Sequence, residues 1–218
     1  MNKDFFKSKK HFLTLTIFLI LTLWFAYLKK SIIPVHIMDS YIDTKIPFIK
    51  EFVVAYYFWF AYMAIGFVYL GFVSKKHFYK LELFLALGMS ISFIIFIVYP
   101  NAQFPRPVVK GTDVFSFLVN FIYSHDGTNN VFPSVHVCNA IGVHLALINC
   151  QDFKNRKVLK YLSLFGMLSI CASTVFIKQH SIIDVLGGTI LASIIYTCIY
   201  LLPKLILQGK TAASEYQG

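Results

Sequence analysis

Long apolar runs alternate with short polar stretches along this chain, and their lengths set the architecture. Six runs stand out: Phe12–Leu28, Phe52–Val73, Leu81–Tyr99, Pro133–Cys150, Val158–Ile177 and Ile182–Leu202. Crossing a hydrocarbon layer of about 30 Å takes roughly 20 helical residues. The pattern therefore predicts an all-α polytopic membrane protein, with six transmembrane helices forming one integral membrane domain over residues 1–218. The fourth and sixth runs are the least uniform, and each carries polar residues in its first turn. The longest connection, Pro100–Phe132, contains DVFSFLVNFIY (Asp113–Tyr123), apolar apart from Ser116 and Asn120 after its leading aspartate. That stretch predicts a short helix, lying flat at the membrane interface or plugging the end of the bundle.

Composition agrees. Hydrophobic residues make up 57% of the 218 and charged ones 14%, against about 45–50% and about 25% in soluble domains. The net charge of +10 does not point to nucleic acid, because the basic residues gather at the ends of apolar runs. That is a topology signal and an attraction for anionic lipid. Thirteen Lys and Arg fall at the N-terminus, in the second and fourth connections and in the tail, against seven in the other three connections. Both termini, a basic tail at about 1–11 and a tail at about 204–218, are expected in the cytoplasm, with the multi-pass chain in the cell membrane. The first run follows MNKDFFKSKK with no small-residue cleavage pattern after it, and reads as an uncleaved signal-anchor. The first outer connection, Lys29–Glu51, is expected to lie on the bilayer surface. The four cysteines sit in or beside apolar runs without metal-ligand spacing and read as small buried hydrophobes.

Against this background KQHSIID (Lys178–Asp184) is conspicuous, because ionisable groups within a membrane segment are costly. His180 and Asp184 are four apart, so on a helix they share a face. A carboxylate beside one imidazole nitrogen fixes the tautomer and leaves the other free to attack. NNVFPSVHV places Pro133 at a helix start, where the N–H groups of Ser134, Val135 and His136 could cradle an anion. FPRPVV supplies Arg106 between Pro105 and Pro107, and a guanidinium suits phosphate oxygens. The topology brings all three stretches to one outer face. Two imidazoles, a carboxylate and cations are what phosphoryl transfer through a histidine nucleophile requires. Neither a metal nor another cofactor is required.

The three blocks resemble those of the type 2 phosphatidic acid phosphatase superfamily. The family's first block is Lys, six residues, then Arg-Pro; Arg106-Pro107 matches, with Tyr99 at the lysine position. Its second is Pro-Ser-Gly-His; Pro133-Ser134-Val135-His136 matches with valine for glycine. Its third is Ser-Arg, five residues, His, three residues, Asp; Ser173, His180 and Asp184 fit, with Thr174 for arginine. The resemblance implies that His180 is the nucleophile, oriented by Asp184. It implies that His136 protonates the leaving alcohol, and that Arg106, Ser134 and nearby N–H groups hold the phosphate. Tyr99 and Thr174 can hydrogen-bond but carry no positive charge, so Lys178 is the candidate to restore a missing cation. His125, Asp126 and Asn130 are open between substrate contact and loop structure, and His144 between function and a contact between helices. Gly187-Gly188 are expected to permit close helix packing. The implied function is a membrane lipid phosphatase acting on phosphatidate, phosphatidylglycerophosphate or an isoprenyl pyrophosphate through a phosphohistidine. A phosphotransferase moving a phospho-headgroup to a lipid alcohol, and a non-catalytic scaffold or transporter, stay open as alternatives.

Overall fold

The computed structural model describes residues 10–103, 106–206 and 208. Pro105, Lys3, Lys7, Lys9, Lys210 and most of the two expected tails lie outside the described residues. A 3-10 turn, Lys10–Thr16, leads into α1 (Ile17–Ser31). Then follow β1 (His36–Met38), α2 (Tyr41–Lys45), α3 (Val53–Val73), α4 (Lys75–Val98) and β2 (Asn101–Gln103). After them come α5 (Val114–Asp126), α6 (Val135–Asn149), α7 (Gln151–Lys154), α8 (Lys157–Phe176) and α9 (Ile182–Tyr196), which continues through a π-turn at Thr197–Leu201. The all-α reading holds.

Among the described residues, five helices are long and apolar enough to cross a membrane: Lys10–Ser31, Lys50–Val73, Lys75–Val98, Lys157–Phe176 and Ile182–Ile206. The fourth expected span is shorter, with α6 running for 15 residues, or about 22 Å at 1.5 Å per residue. Its position explains the difference. α6 packs against α3, α4, α8 and α9, and nine of its 15 residues are buried. A helix sheathed by protein need not match the lipid thickness. The surrounding helices turn apolar side chains outward, among them Leu19, Leu23, Phe60, Ile65, Phe165 and Ile190, each more than half exposed. A ring of exposed apolar side chains fits a multi-pass protein whose solvent is lipid.

Glycines set the closest approaches. A Cβ on Gly188 of α9 would stand 2.6 Å from the Ser134 carbonyl oxygen, and one on Gly142 would stand 2.5 Å from the Phe84 ring. The packing expected of Gly187-Gly188 is thus observed, with Gly187 set against the Phe132 ring. α4 starts six residues before the expected Leu81, because nothing from Lys75 to Lys80 breaks a helix. Ser74, with extended backbone, makes the whole turn from α3.

The connections at the His136/His180 end are more ordered than expected. Residues 32–49 do not simply lie flat. β1 pairs in parallel with β2, His36 opposite Asn101, and α2 docks against the start of α9 through Asp43. The predicted helix in the longest connection is α5. Val119 and Ile122 pack on Val53 and Tyr56 of α3 and on Ile177, while Val114, Phe117 and Phe121 stay exposed. Ser116 is buried and Asn120 exposed.

Candidate active site

His180 enters the site from the turn between α8 and α9. The Thr174 carbonyl accepts from the backbone N–H of both Gln179 and His180, each at 2.9 Å. Ser181 then caps α9 in a reciprocal capping box with Asp184. One Asp184 oxygen, Oδ2, accepts from the Ser181 N–H at 3.0 Å and faces His180 Nδ1 at 3.2 Å. The carboxylate therefore fixes the turn and the ring together. Asp184 is fully buried and His180 nearly so.

His136 comes from the first turn of α6. Its ring packs between Tyr56, at 4.5 Å between centroids, and Trp59, at 4.6 Å. Its centroid lies 5.8 Å from that of His180. Both rings line one cavity of about 320 Å³, together with Arg106, Asp126, Asn130, Gln179 and Val135. His180 Nε2 and both His136 nitrogens make no hydrogen bond among the described residues, so they are available to a ligand. Such a spacing lets two imidazoles reach different atoms of one phosphoryl group, since reacting atoms sit about 3–3.5 Å apart.

Arg106 is the guanidinium of this cavity. It stacks over Tyr123, 4.7 Å from the ring centroid, and donates through Nη2 to Gln179 Oε1 at 2.5 Å and to the Gly127 carbonyl. Burial pushes its pKa down, opposed by Tyr123, Tyr56 and Asp126; an arginine so placed stays charged. Burial likewise raises Tyr123 to about 12, so it remains neutral.

Other expected contacts are not at the cavity. Lys178 sits at φ 54°, which turns its side chain the other way; Nζ donates to the carbonyls of Asp43 at 2.9 Å and Ile46 at 2.6 Å. It lines a separate cavity with Met38, Asp43 and Pro107 and does not restore the missing cation. Tyr99 stacks on His36, with centroids 4.0 Å apart, and is half exposed. Thr174 is buried, its hydroxyl donating to the Cys171 carbonyl; its carbonyl holds the His180 turn, and it does not line the cavity. The Ser134 hydroxyl accepts from Val137 N–H, and its own N–H donates to the Asp184 carbonyl. The anion cradle at the start of α6 thus reduces to the N–H groups of Val135 and His136. His125 stacks on Phe121, away from the cavity. His144 faces the Ser163 hydroxyl at 2.9 Å, joining α6 to α8.

Two organising residues escaped the sequence reading. Asn101, fully buried, accepts from Val131 and Phe132 N–H through Oδ1 and donates to the Tyr99 and Phe132 carbonyls. It pins the loop that delivers α6. Asp43 accepts from the Ser181 hydroxyl at 2.5 Å and the Ile182 N–H at 2.9 Å, clamping the turn that carries His180. An asparagine after a proline and an aspartate in a loop have no sequence signal that separates them from ordinary turn residues.

A model of the PAP2 superfamily matches residues 85–206, more than half of the chain and all three blocks. The chain belongs to the PAP2 superfamily. No curated protein and no solved structure matches it. The PAP2 match begins within α4, yet Asp43 and the cavity walls Thr22, Phe25, Tyr56, Trp59 and Phe60 all precede it. This PAP2 protein thus completes its cavity with residues from outside the matched region.

Proposed function

We propose that the protein is a membrane phosphatase that hydrolyses a lipid phosphate ester through a phosphohistidine on His180. PAP2 proteins are in general phosphatases acting on phosphoric esters, and the chain's apolar helices fit a substrate held in a bilayer. The observation that carries the reading is one cavity with two unlike halves. Its polar half holds His180, His136 and Arg106. Its apolar half is lined by Thr22 and Phe25 of α1, Phe60 of α3, and Met89 and Phe93 of α4. α1 and α3 meet at Phe18 and Phe67, and the apolar half lies between them nearer the histidines. A lipid tail fits there while its phosphate meets the imidazoles.

In the first half-reaction the His180 Nε2 lone pair bonds to phosphorus and the phosphorus–oxygen bond to the lipid alcohol breaks. The departing oxygen takes a proton from His136, which must start protonated. Asp184, against Nδ1, stabilises the positive charge that develops on His180. In the second half-reaction His136 takes a proton from water, whose oxygen attacks phosphorus. The nitrogen–phosphorus bond breaks and inorganic phosphate leaves. Arg106, Gln179 Nε2 and the Val135 and His136 N–H groups offer donors to the non-bridging oxygens. The excess of basic residues at the far end of the bundle supports a site facing away from the cytoplasm.

The test is a panel of phosphatidate, phosphatidylglycerophosphate and isoprenyl pyrophosphate on purified protein, scored for inorganic phosphate. His180→Ala is expected to abolish release. His136→Ala is expected to lose about a hundredfold or more and to accumulate an acid-labile phosphoprotein that His180→Ala cannot form. Undiminished release by His180→Ala refutes the mechanism.

A further inference from the structure

The cavity that would receive a phosphate has a carboxylate in its wall. Asp126 is the one acidic side chain among the described residues that line it. An anion there works against an anionic substrate, so its presence needs a reason. Helix structure gives none: Asp126 is the last residue of α5, and a negative charge is unfavourable at a helix C-terminus. Ion pairing gives none either. No salt bridge joins Asp126 to a cation among the described residues. Arg106, on the same wall, donates instead to Gln179 and to the Tyr123 and Gly127 carbonyls. The bond that Asp126 does make is with Tyr56, whose hydroxyl donates to Oδ2 at 3.0 Å.

That bond leads to His136. The Tyr56 ring packs on the His136 ring at 4.5 Å, and Trp59 packs on it at 4.6 Å. In the proposed reaction His136 must carry a proton when the lipid alcohol departs. An imidazole withdrawn from water between two aromatic rings loses the hydration that an imidazolium needs. His180, its centroid 5.8 Å away, becomes positive as it bonds to phosphorus and works in the same direction. The titratable and charged groups around His136 are Tyr56 of α3, His180 before α9, Arg106 before α5 and Asp126 at the end of α5. Lys29 of α1 is in electrostatic reach of Asp126. Asp184 is held against His180 Nδ1, which leaves Asp126 as the negative charge that acts on the His136 ring.

We infer that Asp126 is a positioning residue for the general acid, its charge holding His136 in the protonated form that the departing lipid oxygen requires. This rests on the phosphohistidine reading above and adds to it a residue that lies in none of the three sequence blocks. The proton moves from His136 to the leaving oxygen as the phosphorus–oxygen bond breaks, and the Asp126 carboxylate neither gains nor loses one. Once His136 is neutral, the same charge strengthens it as the base that takes a proton from water.

Two phosphate monoesters separate this role from a structural one, with kcat/KM of the full-length protein reporting the steps up to release of the alcohol. Octyl phosphate releases a strongly basic alkoxide that needs a proton, whereas 4-nitrophenyl phosphate releases a stable phenolate that does not. Asp126→Asn removes the charge and keeps both the shape and an acceptor for Tyr56. It is expected to lower kcat/KM for octyl phosphate about tenfold or more, and for 4-nitrophenyl phosphate less than about threefold. Tyr56→Phe keeps the carboxylate and should leave the ratio of the two esters within about twofold of wild type. Each ratio is taken on one protein sample, so it does not depend on how much of a variant folds. Equal losses on both esters in Asp126→Asn, an unchanged octyl phosphate rate in that variant, or the same change of ratio in Tyr56→Phe would each overturn the inference. These outcomes leave His180 free to form the acid-labile phosphoprotein, whereas phosphate release retained by His180→Ala sinks the phosphohistidine reading itself.

Discussion

At the scale of single residues, the candidate site depends on side chains that do not line its cavity. Asp43 is the clearest. Its carboxylate accepts from Ser181 and Ile182 at the start of α9, where an anion also complements the helix dipole. Asp43→Ala should loosen the turn that holds His180. We expect kcat to fall about tenfold with KM within twofold, with Asp43→Asn recovering most of the loss; an equal fall in both variants would mean the charge, not the hydrogen bonds, is what matters. Lys178 is the counterpart. By sequence it stands two residues from His180 and reads as a phosphate ligand, yet its ammonium caps the Asp43 and Ile46 carbonyls. Lys178→Met should therefore keep turnover within a few-fold of wild type. A hundredfold loss would return it to the site. The difference between the two residues was not legible in the sequence, because one left-handed backbone angle at Lys178 decides which cavity its side chain enters.

At the scale of elements, α9 and α6 must approach closely for the two imidazoles to face one cavity. Gly188 permits this, with the Ser134 carbonyl where a Cβ would collide. The obstacle is backbone at a helix start, which cannot rotate aside. Gly188→Ala should destabilise the protein by about 1–3 kcal/mol and lower phosphate release at least tenfold, read by thermal unfolding in detergent and by turnover. Gly187-Gly188 could be read as a packing surface from the sequence; that the surface abuts the cap of α6 could not. The start of α5 depends on charge. Asp113 caps it, accepting from Phe115 and Ser116 N–H, and meets Lys50 at 2.5 Å. The Lys50 hydrogen bond, then those from Ser116, hold its carboxyl well below the usual carboxylate range. A depressed folded pKa means the contribution is present above the unfolded value, about 4, and fades as pH falls from there toward the folded value. Amide exchange over Phe115–Val119 should be slower in wild type than in Asp113→Ala at neutral pH, and the two should converge in acid.

At the scale of the molecule, hydropathy announced five of the spans and the order of the three blocks announced the family, because both are carried by residue type and spacing. The α1–α3 side of the cavity was not announced, since Thr22, Phe25 and Phe60 look like any other membrane-span residues until the helices are placed. They also precede the region the superfamily model matches, so they are where this protein can be particular about its lipid. Thr22 lines the apolar half of the cavity, and a tryptophan there would fill the space in which a tail should lie. The polar half, on α6 and the turn before α9, would be untouched. Thr22→Trp should therefore lower kcat/KM for a long-chain phosphatidate by about tenfold or more. Hydrolysis of a water-soluble short-chain phosphate ester should change less than twofold. Parallel losses on both substrates would mean that the space between α1 and α3 does not receive the tail, and that the lipid reaches His180 by another face of the bundle.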